Sequence, residues 1–515
     1  MVLVVVAAVV MVLVMVLVIA LVVFDLTQRQ HAILHNFPLI GHLRYLLERV
    51  GPELRQYIVT DNNEERPFSR DERSWVYASS KGENNSVGFG TDNDLDRVAD
   101  YVIVKHAAFP AMPRAGEPDH PDVRVTVPAA KVLGASHGRD RAFRPPSIVN
   151  VSGMSFGSLS APAVEALNRG CALAGALQST GEGGLTDHHR HGGDLIWQVG
   201  TGYFGCRDAD GRFDLARLVE GVESAPVRAI EIKLSQGAKP GLGGVLPAAK
   251  VTPEIAAIRD VPVGLICRSP SAHTAFHDPD SLIEFVEMIA AATGLPVGIK
   301  SAVGEDRFWS ELADRMVSTG GGPDFITIDG GEGGTGAAPL TFSDHVALPF
   351  RWGFSRVYRE FAQHGLTDDI VFVGSGRLGI PETALTALVM GCDLINVGRT
   401  ALLSIGCIQS QRCHTDRCPT GVATQNPRLA RGLDPELKSV RCAMYIATLR
   451  FELLRLARTC GVDHPALVRT DQIELLESHW RSSSLRDALD YEPGWGLPSA
   501  AQSDDLCRLM AQPLR

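Results

Sequence analysis

Aromatic side chains are scarce in this chain, at 6% of 515 residues, whereas glycine is abundant at 51. That balance disfavours an all-β sandwich and suits an α/β enzyme with many tight loops around a ligand. A basic surplus is also missing: 49 Lys and Arg stand against 59 Asp and Glu, a formal net charge of −10. A protein held to nucleic acid by phosphate contacts carries the opposite balance, so no nucleic-acid partner is expected. Hydrophobic residues at 45% and charged residues at 21% exclude a disordered, collagen-like or disulfide-dense chain. No cysteine precedes Cys171, and a single stretch reaches 18 consecutive apolar residues.

That stretch runs from Met1 to Phe24 and has no polar side chain except the methionine thioethers. As a helix it is roughly 36 Å long, enough for a hydrocarbon core of about 30 Å. A secretory signal would show a basic start and a small-residue cleavage site. Nothing basic precedes this run, and Leu21-Val22-Val23-Phe24-Asp25 is a poor cleavage site. The expectation is one uncleaved membrane anchor over residues 1–25. Arg29, Arg44 and Arg49 follow it, so the positive-inside rule puts the body on the cytoplasmic side of the cytoplasmic membrane.

Residues 26–145 read as a helical and irregular N-terminal region or cap. Within it Leu43, Leu46, Leu47, Val50, Leu54 and Ile58 recur at helical spacing, and that helix is expected to pack on the body. From 148 onward short apolar runs alternate with helical stretches: Ile148–Val151, Ala176–Ser179, Ala229–Leu234, Val263–Cys267, Val297–Lys300, Phe325–Ile328, Ile370–Val373 and Leu394–Val397. Eight such units predict an α/β fold with a closed (β/α)8 TIM barrel, a doubly wound sheet being the alternative. The gap between the second and third runs suggests an insertion there. The barrel domain is placed at 146–475, with a cysteine loop at 407–418 and a C-terminal tail at 476–515.

Function in such a barrel lies at the C-terminal ends of the strands. Here those ends carry Ser152-Gly153-Met154-Ser155, Thr180-Gly181-Glu182, Lys233 with Gln236-Gly237-Ala238-Lys239, Lys300, Gly333-Gly334-Thr335-Gly336, Gly374-Ser375-Gly376-Arg377 and Gly398-Arg399-Thr400. Glycine-rich loops after the sixth, seventh and eighth strands let backbone N–H groups approach an anion, which predicts a phosphorylated cofactor. The run from Gly331 to Gly336 also fits a dinucleotide fingerprint, but Ala337-Ala338-Pro339 prevents the helix that pattern requires. Lys300 is placed to face the N1–C2=O edge of a flavin, where an ammonium stabilises the anionic reduced form; a core lysine satisfied by a carboxylate is the other reading.

Three of the ten cysteines crowd into twelve residues: Cys407, Cys413 and Cys418, followed by Pro419. In a cytoplasmic body that points to ligation rather than disulfides. Three thiolates with Pro after the last suit a three-iron cluster; zinc with His414 as fourth ligand is the alternative. The histidines of Asp187-His188-His189-Arg190-His191 are read as solvated or substrate-facing rather than as a metal site.

Taken together, Met154-Ser155-Phe156-Gly157-Ser158, Thr180-Gly181-Glu182-Gly183-Gly184, Lys233 through Gly241, Gly334-Thr335-Gly336-Ala337 and the cysteine loop running on to Thr424-Gln425 resemble the FMN-binding glutamate synthase family, in its short, membrane-anchored form. The resemblance covers about 145 to 475. It implies a non-covalent FMN held by Ser152, Met154, Ser155, Thr180, Lys300, Gly333, Gly334, Thr335, Gly336, Gly374, Gly376, Gly398, Arg399 and Thr400, and a [3Fe-4S] cluster on Cys407, Cys413 and Cys418. It implies 2-oxoglutarate bound by Glu182, Gln236, Lys239 and Arg259, with Glu182, Gln236 and Lys239 also catalytic. The reaction so implied is reductive amination with ammonia to L-glutamate through 2-iminoglutarate.

The chain departs from the larger enzymes of the family. Their glutamine-hydrolysing domain, with an N-terminal Cys nucleophile, and their C-terminal β-helical domain have no counterpart here, so ammonia is expected from solution or a partner. Arg268-Ser269-Pro270-Ser271-Ala272-His273 also differs from the matching family stretch, which leaves amination of another 2-oxo acid open. A membrane-tethered flavin and iron–sulfur relay without its own amination is the alternative function. Retention of Glu182, Lys239 and Arg259 favours the synthase. No nicotinamide site is evident, so the donor is left as a ferredoxin, a flavoprotein subunit or a quinol.

Overall fold

The structure is a computed structural model that describes residues 2–57, 64–95, 98, 100–114, 116–478 and 480–512. Eight parallel strands close into a barrel: β1 (Val149–Val151), β2 (Gln178–Ser179), β3 (Leu195–Val199), β4 (Val227–Lys233), β5 (Val297–Ser301), β6 (Phe325–Asp329), β7 (Val371–Ser375) and β8 (Leu394–Val397). The ring is completed by β8 on β1, with Ile395 opposite Val149 and Val397 opposite Val151. Seven of the eight are buried along their whole length, and β4 falls short only at Arg228. Burial on both faces is why they read as runs of Val, Ile and Leu.

Two of the expected strands are corrected. The third strand is Leu195–Val199, which lies in the gap where an insertion was expected. Its Gln198 interrupts the apolar run because that side chain points to a polar layer inside the barrel, where Gln198 Nε2 and Thr327 Oγ1 both donate to Glu231. Val263–Cys267 is not a barrel strand: Val263, Leu265 and Ile266 are exposed, and Cys267 belongs to a small antiparallel pair, Cys267–Arg268 with Val245–Leu246. The insertion therefore follows β4.

Outside the barrel, helix Pro435–Thr459 lies along helix Ala161–Ala174. Gly170 permits their close crossing, since a Cβ there would come within 2.6 Å of Cys442 Cβ. Strand Tyr101–Val104 pairs antiparallel with Ile473–Ser478, joining the N-terminal region to the far end of the chain. Helix Ala500–Met510 buries Leu506 and Met510.

The N-terminal region begins with α1 (Val2–Thr27), α2 (Ala32–Asn36) and α3 (Ile40–Tyr57). Among the described residues one helix, over Val4–Thr27, is long and apolar enough to cross a membrane, and its most apolar 18 residues are not buried. Helix α3 does not bury its apolar face as expected: Leu43, Leu46, Leu47 and Val50 are exposed. The side chain of Leu54 and the whole of Ile58 lie outside the described residues. A further helix, α4 (Arg70–Lys81), starts at a capping box between Ser69 and Glu72 and ends at Gly82 in the left-handed conformation. It packs on Pro435–Thr459.

Candidate active site

The ends of β2 and β4 bring together the centre of the site. Lys233, the last residue of β4, donates from Nζ to Glu182 Oε1 at 2.8 Å and to Gln236 Oε1 at 2.7 Å. Burial alone would raise the Glu182 carboxyl, but Lys233, Lys239 and Arg259 outweigh it and hold Glu182 below the usual carboxylate range. Glu182 is therefore an anion among three cations. Lys239 is buried and donates to the carbonyl of Ala337 at 3.0 Å; burial lowers its pKa, opposed by Glu182. Arg259 sits over the Phe204 ring and donates from Nη2 to the Phe156 carbonyl at 2.9 Å. The four residues of the expected substrate pocket thus stand within one electrostatic neighbourhood.

Two residues that sequence reasoning did not assign complete this wall. His273 bonds Tyr203 Oη through Nδ1 at 3.1 Å and the Lys233 carbonyl through Nε2 at 2.9 Å. Burial lowers its pKa to about 4, so the imidazole is neutral at pH 7. Tyr203 Oη also accepts from the N–H groups of Thr274 and Ala275, pinning the segment that departs from the family pattern.

Lys300, at the end of β5, faces a carboxylate: its Nζ lies 3.4 Å from Asp329 Oδ2. Burial would lower Lys300, but Asp329 and Glu231 hold it above its ordinary value. Burial would raise Asp329, but Lys300 and the Gly237 N–H hold it low, so the pair is ionised. Gly237 has no room for a side chain, because a Cβ would fall 1.8 Å from the Gly330 carbonyl oxygen.

Around the rest of the rim, Ser152, Met154 and Gly398 stand together. A Cβ on Gly398 would meet nothing nearer than Ser152 Cβ at 3.7 Å and Met154 Sδ at 3.9 Å, so space opens there. Gly181, next to Thr180, lies against the backbone of Met154 and Ser155. Gly334 packs on the Arg399 side chain, which reaches the Glu332 carbonyl; Gly333 closes a turn on Gly330. Gly336 lies near Ser158, and Thr335 Oγ1 donates weakly to Ala337. Gly376 takes a positive φ of 132° against Gly330, whereas Gly374 faces inward onto Leu378, Cys392 and Phe350 and serves packing. Thr400 Oγ1 accepts from Tyr445 Oη at 2.8 Å.

Arg377 and Arg399 stand close enough that burial and the Arg377 charge together lower Arg399 to about 10. Both guanidiniums lie against the Phe68 ring, and Arg377 Nε is buried without a partner. An unpartnered buried donor beside two like charges fits an anion such as a flavin phosphate, and the open space at Gly398 fits a planar ring.

In the cysteine loop, Gln409, Gln411 and Asp416 all adopt left-handed φ of 55–58°. Non-glycine residues hold that conformation where the surroundings over-determine it. Among the described residues no three His, Cys, Asp or Glu side chains stand close enough to hold a single metal ion. Cys407, Cys413 and Cys418 do share one apolar cluster, and burial together with the neighbouring thiols pushes Cys407 up to about 12 and raises Cys413. Three thiols within twelve residues are a donor set that an iron–sulfur cluster would use as thiolates. His189 is buried against Thr186 and His188 pairs with Glu254 at 2.8 Å.

An eight-stranded parallel barrel whose C-terminal rim gathers glycine-lined loops and buried cations is the framework of an enzyme for an anionic ligand. Residues 136–463 match the family described as "Conserved region in glutamate synthase". The chain is 37% identical over 470 residues to the glutamate synthase large subunit-like protein YerD of Bacillus subtilis, covering 86% of this chain and 89% of that one. It is 33% identical over 318 residues to the archaeal glutamate synthase [NADPH] of Methanocaldococcus jannaschii, covering 61% of this chain and 59% of that enzyme. A solved flavocytochrome b2 mutant with pyruvate bound aligns with 84% of this chain and 87% of its own at 16% identity and a TM-score of 0.43. The chain belongs to the glutamate synthase family and, with it, to the oxidoreductases.

Proposed function

We propose that this chain is a membrane-tethered oxidoreductase that reductively aminates 2-oxoglutarate to L-glutamate through 2-iminoglutarate. The observation that carries the reading is the group Glu182, Lys233, Lys239 and Arg259. Three cations around one carboxylate leave an excess of two positive charges, the complement of a dicarboxylate substrate. Lys239 and Arg259 hold the two substrate carboxylates. Gln236 already accepts from Lys233, which turns its amide N–H groups toward the substrate. Glu182, kept as a carboxylate, takes a proton from the incoming ammonium and keeps iminoglutarate charged. Ammonia comes from solution or from a partner.

FMN would be held by Ser152, Met154, Ser155, Thr180, Lys300, Gly333, Gly334, Thr335, Gly336, Gly376, Gly398, Arg399 and Thr400, with Arg377 added at the phosphate. Gly374 would act only through the packing of β7 beneath it. Cys407, Cys413 and Cys418 would hold a [3Fe-4S] cluster. When bound, these groups supply hydride to the imine carbon and single-electron entry from a donor. Lys300 would supply a fixed positive charge to a bound flavin, and Asp329 keeps it protonated. The helix Val4–Thr27 supports a single-pass anchor with the body in the cytoplasm.

The test is an absorption spectrum and iron count on anaerobically purified protein, then photoreduction and addition of 2-oxoglutarate and ammonium. Flavin that reoxidises only with both substrates supports the synthase. Flavin and iron indifferent to both leave an electron relay, and the absence of iron overturns the cluster.

A further inference from the structure

Helix α3 is amphipathic with its faces inverted relative to a helix that packs on a protein. At 100° per residue, Leu46, Val50, Leu43, Leu47 and Ile40 form one arc of roughly 120°. These side chains are the exposed ones: Ile40 is 75% exposed, Leu43 and Leu46 55%, and Leu47 52%. In the first turns of the helix the opposite face turns inward. Gly41 lies against Leu34, where a Cβ would come within 2.9 Å, and Tyr45 Oη bonds His31 Nδ1 at 3.1 Å. Scattered exposed leucines need no explanation, but a continuous apolar stripe on an 18-residue helix does.

The position of α3 identifies what covers the stripe. Asp25 is fully buried in the last turns of α1 and accepts from the Leu39 N–H at 3.0 Å, while His42 Nε2 lies 2.9 Å from its Oδ1. The first turn of α3 is thereby fastened to the foot of α1. From there α3, about 27 Å long, runs past the start of α4, where a Cβ on Gly51 would lie 3.7 Å from Arg70 Nη1, while its stripe stays exposed. Phe37 is exposed just before it, and Arg49, also exposed, flanks the stripe on one side, placed for its long side chain to reach lipid headgroups, while Arg44 on the other side is half-buried and paired with Glu48.

We propose that α3 lies in the plane of the bilayer surface, its apolar stripe sunk among the lipid chains, and so fixes the tilt of the barrel on the membrane. This rests on the reading that α1 spans the bilayer. One consequence concerns the cysteine loop. Asn36, at the end of α2, donates to the carbonyls of Pro419 and Leu429 at 3.0 and 2.9 Å, so the segment after Cys418 sits on the membrane-facing side of the body.

The full chain in phosphatidylcholine–phosphatidylglycerol vesicles tests this. The substitutions Leu47→Trp and Glu48→Trp place an added indole on the stripe and on the opposite face. Both positions are exposed, so folding is not at stake. Phospholipid brominated near the glycerol end of its chains is the quencher. For L47W about half of the added emission should be lost, and for E48W little of it, as for a helix buried 5–10 Å at the interface. Equal, weak quenching of both in protein that resists alkaline carbonate extraction overturns the in-plane helix while leaving the anchor standing. Extraction of the protein by carbonate overturns the anchor reading and this one with it.

Discussion

The ion pair between Lys300 and Asp329 offers the most direct test of how the site is held. At 3.4 Å, two unit charges in an effective dielectric of about 20 attract by about 5 kcal/mol. Much of that offsets desolvation, and removing one partner of a buried pair leaves the other stranded, at a cost of about 3–5 kcal/mol. Asp329→Asn keeps an oxygen for the Gly237 N–H, so its cost isolates the charge. In a large chain about 2 °C per kcal/mol is a fair conversion, so the thermal midpoint should fall by about 6–10 °C. Lys300→Met should behave alike. The double variant Lys300→Met/Asp329→Leu should recover at least half of the loss, because an apolar pair strands no charge. The sign with pH follows from the two shifts. Asp329 is held low, so its contribution is present above the ordinary carboxylate range and is lost as pH falls through the folded pKa; Lys300 is held high, so its contribution is lost only as pH rises through the folded pKa. The difference between parent and single variants should therefore be flat around neutrality. The assay is thermal unfolding followed by circular dichroism in one detergent at one scan rate. Single-variant shifts below about 2 °C, or a double variant as unstable as the two losses added, would refute the pairing.

Lys239→Met should raise the KM for 2-oxoglutarate by about 10–100-fold, the worth of one charge-assisted hydrogen bond, read from the concentration dependence of flavin reoxidation; an unchanged KM counts against the dicarboxylate clamp. Buried His464 is held neutral, with its pKa lowered to about 4: its Nε2 donates to the Pro128 carbonyl at 3.0 Å and its Nδ1 accepts from the Ala466 N–H at 3.1 Å, a pair of roles that only the neutral ring fills. The unfolded chain takes up that proton first, so stability should fall as pH drops from about 6.5 to 4, by up to about 1.4 kcal/mol per pH unit. His464→Gln should flatten that slope, and superimposable profiles would argue against it. Gly237→Ala should cost at least about 3 kcal/mol and disturb the β4 loop, since the added methyl would fall 1.8 Å from the Gly330 oxygen; parent-like midpoint and flavin content would show that the loops can separate.

Seven barrel strands were legible because burial on both faces writes itself as Val, Ile and Leu. Strand β3 was not, because Gln198 faces a polar layer that only closure of the barrel creates, where Glu231 and Thr327 arrive from β4 and β6. Val263–Cys267 misled for the converse reason: its apolar residues are β-prone but sit exposed in the insertion after β4. The pocket candidates stood out as Gln and Lys among glycines, yet the pairing of Lys300 with Asp329 depends on the register of β5 and β6, which no local pattern encodes. In α3 the periodicity revealed a face but not its direction. Only the fastening of Leu39 and His42 to Asp25 turns that face away from the body.

The segment from Phe68 to Tyr77 was the least legible part of the site, being about 300 residues from the rim and the cysteine loop that it touches, although Ser69 and Glu72 do spell a capping box. Phe68 exchanges hydrogen bonds with Gln409: its N–H donates to Oε1 at 3.1 Å and its carbonyl accepts from Nε2 at 3.0 Å. Tyr77 Oη donates to the Cys407 carbonyl at 2.7 Å. The Glu72 carboxylate takes Arg377 Nη2 at 2.9 and 3.0 Å while closing its cap on Ser69. One short segment thus ties the two guanidiniums of the rim to the cysteine loop, and its ring covers both. If those guanidiniums bind the flavin phosphate, removing the ring loosens two cations that are otherwise held by Glu72 and by the Glu332 carbonyl, and each cation–π contact is worth about 0.5–2 kcal/mol. Phe68→Ala should then weaken FMN binding by about tenfold, measured by flavin fluorescence on titration, while the Gln409 bonds, made to the main chain of residue 68, persist. A variant that binds FMN as the parent does would place the ring outside the chemistry and leave Glu72 as the contact that positions Arg377.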